Sequence, residues 1–170
     1  MGTELQLVHW TEDLSVGIPA VDADHKVLID LLNQIVKAKD GPEPISVIGT
    51  VLNVLGHYTD YHFTREELVQ AAGGYPGLAA HHRIHESLKE SVEQYRSRFM
   101  ADPASVDIDD LYVFLKDWLV EHIMSEDKAF APYVANTPEA EAAAESVHFV
   151  SLDDIDFDDM ENDPFMGGRS

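Results

Sequence analysis

Apolar residues recur every three to four positions through most of the chain. Val27, Leu28, Leu31, Leu32, Ile35 and Val36 form one such stripe, and Gly41-Pro42 and Pro44 end it. A second helix is predicted over about 45–72, closed by Gly73-Gly74 and the turn pair Tyr75-Pro76. A third runs over about 78–99, before Asp102-Pro103, and a fourth over about 109–133, with Pro138 beyond it. The β-branched alternation expected of strands is missing. Four long helices with short links predict an all-α fold, an antiparallel up-down four-helix bundle over residues 1–136. Residues 1–19 read as an extended arm, with Trp10 and the VGIP stretch packing across the bundle. Residues 137–170 read as a separate extension that opens with a short helical piece, TPEAEAAAES.

Charge sharpens that division. The chain of 170 residues carries a net charge of −21, and residues 137–170 hold 10 acids against one arginine. An acidic tail of this kind is expected to be solvated, or to dock through Phe149, Leu152, Ile155, Phe157 and Met160, on the bundle or on a protein partner. DDIDFDD has alternating acids, but an EF-hand loop begun at Asp154 needs Gly at 159 and Glu at 165, where Asp159 and Phe165 stand. The overall charge argues against nucleic acid and anionic membranes as partners. Cysteine is absent, which removes disulfides, thiolate metal sites and cysteine nucleophiles. No basic-then-apolar leader opens the chain, and no apolar run is long enough to span a bilayer. A cytoplasmic protein is the expectation.

The candidate chemistry lies in nine histidines. Successive helical residues turn by about 100°, so positions i and i+4 share a face. His81 and His85 have this spacing, and so do His62 and Glu66. His25 stands near the start of the first helix and His122 in the fourth, so each helix offers a ligand. A lone pair at this spacing is commonly a surface accident. The joint appearance, one group per helix, makes a metal site a candidate, and imidazole suits iron, zinc and copper alike. His9, His57, His82 and His148 fall outside the pattern and default to surface or structural roles.

These residues resemble the hemerythrins, particularly the bacterial single-domain form. The match runs through VGIPAVDADHKVLIDLLN, HYTDYHFTREE, YPGLAAHHRIH and WLVEHIMSEDKAFAPYV, over roughly residues 8–134. The resemblance implies a non-heme di-iron centre with an oxo or hydroxo bridge. By it, His81, His85 and His122 belong to one iron and His25 and His62 to the other, with Glu66 and Asp127 bridging. Helix geometry alone chooses Glu126 over Asp127, because i+5 lies about 140° around from His122; the family pattern chooses Asp127. The unequal donor count leaves one position for O₂ or another small diatomic. Phe63, Trp118, Leu119 and Ile123 stand where the family walls its oxygen pocket, although any bundle core needs apolar residues at such spacings. Asp22, Tyr61 and Tyr112 are candidates to orient the imidazoles, with surface roles equally open to them.

The function so implied is reversible O₂ binding for storage, delivery or sensing, not an enzyme activity. The rivals are a di-iron oxidase or peroxidase-like detoxifier, and a redox or nitric oxide sensor signalling through the tail. Glu-rich oxidases of this architecture supply Glu-x-x-His from each of two helices, whereas this pattern is His-rich.

Overall fold

The computed structural model describes residues 4–147. Four long helical arms form the bundle: α1 (Pro19–Lys39), α2 (Pro44–Ala72), α3 (Leu78–Ala101), and a fourth arm built of α4 (Ile108–Glu121), a π-helical turn (His122–Asp127) and α5 (Lys128–Val134). A short helix, α6 (Pro138–Glu145), follows. Helix α1 packs on α2 and α4, and α2 packs on α3.

Local chemistry sets the ends. Proline stands in the first turn of both α1 and α2, where its missing N–H has no intrahelical use. Asp107 caps α4 by accepting from the Asp110 N–H at 3.0 Å. Helix α2 ends at Gly73 and Gly74. Gly74 adopts φ +69°, and the Tyr75 N–H reaches back to the Gln70 carbonyl at 2.9 Å. At Gly73 a Cβ would lie 2.7 Å from Val134 Cγ1 and 2.8 Å from the Tyr133 carbonyl oxygen, so α5 can approach α2 this closely only over glycine.

Two apolar clusters fill the bundle. The larger includes Leu28, Leu32, Ile35, Ile48, Leu52, Leu55, Phe63, Phe99, Leu111, Leu115, Trp118, Leu119 and Ile123. The smaller gathers Val16, Ile18, Val21, Val69, Phe130 and Val134 with Ala140 and Ala144 of α6. On three arms a polar residue stands between the two clusters, the smaller coming first along α1 and the larger coming first along α2 and the fourth arm. Val21 precedes His25 and Leu28, Phe63 precedes Glu66 and Val69, and Ile123 precedes Asp127 and Phe130. The polar residues between are sealed by hydrocarbon at both ends.

The N-terminal arm lies across the bundle as its sequence predicts. The Val8 N–H donates to Asn33 Oδ1 and Asn33 Nδ2 donates to the Val8 carbonyl, both at 2.9 Å. Lys26 sits over the Trp10 ring at 4.9 Å. TPEAEAAAES is helical, as expected, and α6 packs on α2, with Ala140 and Ala144 buried. Packing therefore continues past residue 136, where the sequence predicts the bundle to end. His148 and the apolar tail residues Phe149, Leu152, Ile155, Phe157 and Met160 lie outside the described residues. No described helix is long and apolar enough to cross a membrane.

Candidate metal centre

All seven predicted side chains meet in the middle of the bundle. His25, His62, Glu66, His81, His85 and Asp127 are at most 1% exposed, and His122 is 7% exposed. Each imidazole turns its Nε2 toward the two carboxylates. Glu66 Oε1 lies 2.9 Å from both His25 Nε2 and His62 Nε2. Its other oxygen, Oε2, faces His85 at 3.1 Å and His81 at 3.4 Å. Asp127 repeats the division, with Oδ2 3.0 Å from His25 and Oδ1 3.0 Å from His122 and 3.2 Å from His81. Two overlapping groups that could each hold a metal ion result: His25, His62, Glu66 and Asp127, and Glu66, His81, His85, His122 and Asp127.

The fourth arm delivers Asp127 by changing its helical pitch. Across the π turn the Lys128 N–H bonds to the Ile123 carbonyl, five residues back. Such a turn brings residue i+5 under residue i, and π turns of this kind are frequent at functional sites. Asp127 therefore lies beneath His122, while Glu126 is turned partly to solvent.

The donor set fits a metal. Glu66 Oε2, both Asp127 oxygens and His81 Nε2 are buried without a hydrogen-bond partner. Orphaned carboxylate oxygens in a dry interior are costly, and a cation between them removes that cost. In the metal-free chain, protons substitute for the cation. Burial alone would lower His62, but the Glu66 charge and the hydrogen bonds His62 donates to Asp24 and Glu66 outweigh it and raise it to about 10. Burial is likewise outweighed at His81, raised to about 9 by Asp127 and Glu66, and at His25, also raised. Burial would raise Glu66 and Asp127, yet both are held below the usual carboxylate range, chiefly by the charge of His62 at Glu66 and of His122 at Asp127.

Two acids hold the outer nitrogens of the imidazoles. Asp24 Oδ2 accepts from His62 Nδ1 at 2.9 Å, and Glu67 Oε1 accepts from His85 Nδ1 at 2.9 Å. Such partners fix ring orientation and tautomer. Neither is marked in the sequence, because each serves a histidine on a different helix and no spacing within one helix reveals it. The three polar residues that the sequence offers for this role make other bonds. Asp22 accepts from the Ser15 hydroxyl and the Val16 N–H, Tyr112 donates to the Gln6 carbonyl, and Tyr61 bonds Arg65.

Aromatic rings line the larger cluster's side of the centre. Phe63 stacks on His85 with centroids 3.8 Å apart and planes 9° from parallel, and lies 5.7 Å from His62. Trp118 runs nearly parallel to His122 at 6.4 Å. Leu119 and Ile123 are buried in the same cluster. His9, His57 and His82 are exposed, and His82 shares Glu67 with His85.

Residues 16–134 match the family described as the hemerythrin HHE cation binding domain. The bacteriohemerythrin of Stenotrophomonas maltophilia is 37% identical over 131 residues, covering 76% of this chain and 83% of that protein. That of Methylococcus capsulatus is 32% identical over 130 residues, 75% of this chain and 97% of the relative. A wild-type hemerythrin crystal structure superposes with a TM-score of 0.68 at 32% identity, covering 76% of this chain and 99% of that one. The chain belongs to the hemerythrin family of iron- and oxygen-binding helical bundles.

Proposed function

We propose that the chain holds two iron ions and binds O₂ reversibly. His25 and His62 would hold one ion and His81, His85 and His122 the other, with Glu66 and Asp127 spanning the pair. The observation that carries this reading is the division of the carboxylates. Both turn one oxygen to the two-histidine side and the other to the three-histidine side. The donor count is unequal, so the side of His25 and His62 is the one with room for a small diatomic. A reduced iron pair supplies the electrons that make O₂ binding possible and reversible.

The chain's own residues hold, orient and exclude. Asp24 and Glu67 fix two imidazoles, and Phe63 and Trp118 put hydrocarbon against the centre. Leu119 and Ile123 extend that wall, which keeps water out and favours release of the bound gas unchanged. Asp24 and Glu67 are already engaged by imidazole N–H groups, an arrangement that suits binding over turnover. A carrier or sensor is the reading this supports.

Iron analysis with visible spectra of the reduced protein, before and after air, tests it. Two irons per chain and a visible band that reverses on removing oxygen are expected. One metal per chain, preferential retention of zinc, or steady O₂ consumption with a reductant would overturn it.

A further inference from the structure

Behind His62 a line of polar contacts leaves the centre and ends on the C-terminal segment. Asp24 Oδ2 holds the imidazole, while Oδ1 accepts from the Tyr58 hydroxyl at 2.8 Å and from Arg65 Nη1 at 3.2 Å. The same Nη1 donates to the Ala20 carbonyl at 3.0 Å. The other arm of the fork, Nη2, donates to the Val147 carbonyl at 2.7 Å and to the Tyr61 hydroxyl. Arg65 is only 7% exposed. One buried guanidinium thus has one arm on the acid that orients His62 and the other on the backbone just beyond α6.

We propose that Arg65 is a positioning residue that couples the docking of residues 138–147 to the His62 side of the centre. The proposal rests on the metal-centre reading above. Losing a carbonyl acceptor is unfavourable for a buried guanidinium, even though Nη2 keeps the Tyr61 hydroxyl. Undocking α6 removes the Val147 carbonyl from Nη2, the fork shifts, and Asp24 loses a donor on the carboxylate that faces His62. Linkage makes the effect reciprocal. Fixing His62 on a metal fixes Asp24, then Arg65, then Val147. The rigid fork is the connecting part, since a lysine ammonium is a point charge that cannot span the two acceptors. Ala140 and Ala144 seat α6 independently of this contact, so docking and coupling are separable.

The test is hydrogen–deuterium exchange on the full chain, with and without zinc(II). Zinc is chosen because it is redox-silent. Amides of 139–147 are read against those at the C-terminal end of α3, so that general stabilisation by metal cancels. Zinc is expected to slow exchange in 139–147 by at least about fivefold relative to that reference. Arg65→Gln is expected to abolish the selective protection, and Arg65→Lys to abolish it although a cation stays beside Asp24. Ala144→Glu, which unseats α6 and leaves Arg65 in place, is expected to weaken zinc binding by a similar factor. Zinc binding without selective protection, or protection that survives Arg65→Gln, overturns the coupling alone. If zinc does not bind, the same exchange measurement is made with ferrous iron under argon, and a chain that takes up neither metal overturns the centre and the coupling together.

Discussion

Asp24 and Glu67 are each one position away from a residue of the centre, yet each serves an imidazole on another helix. Neighbours in a helix point about 100° apart, so a reading along one helix sets them aside. The seven convergent residues were legible because their spacing and family pattern lie in the chain itself; their outer partners become visible only when helices meet. Loss of such a partner commonly lowers metal affinity about 10- to 100-fold. Asp24→Asn and Glu67→Gln are each expected to fall in that range, read by competition with a chelator of known affinity. Affinity unchanged in both would remove their orienting role. Protonation belongs to the same scale. His62 and His81 are raised to about 10 and about 9, so below those values the metal-free chain carries protons that a cation must displace. Metal uptake at neutral pH is therefore expected to acidify a weakly buffered solution, and to strengthen as pH climbs toward that range. A titration with no proton release would contradict the assignment.

At the scale of the element, the fourth arm is where regular geometry and family pattern disagree. Regular α-helix arithmetic favours Glu126, and the π turn resolves the matter by placing Asp127 beneath His122. The slip shifts the apolar phase by about 100°, and the 7 residues of α5 that follow are too few to reveal the shift, so the turn could not be read from the chain. Asp127→Asn is expected to remove most bound metal, whereas Glu126→Gln is expected to leave the metal content close to that of the unaltered chain. Metal analysis of the two purified variants settles it, and a reversal would assign the bridge to Glu126. The four long helices, by contrast, were legible almost to the residue, because glycine and proline punctuate them.

For the whole molecule, the decisive arrangement is a polar chamber between two hydrocarbon plugs, the smaller completed by α6. Charge sets residues 137–170 apart, and charge says nothing about Ala140 and Ala144, whose methyl groups are buried in the smaller cluster. Gly73 holds the same end together. Gly73→Ala is expected to destabilise the fold by about 1–3 kcal/mol through overpacking against Val134 and Tyr133. A urea titration measures it, and an unchanged midpoint would show that α5 yields freely. The π turn reaches this scale as well. One residue added to a helix rotates everything after it by about 100°, so Phe130 and Val134 face the smaller plug only because the pitch has already slipped. Straighten that turn and the floor of the chamber swings outward as its carboxylate departs. The placing of the carboxylate and the sealing of the chamber hang on a single surplus residue, so deleting one residue from the turn is expected to undo both at once.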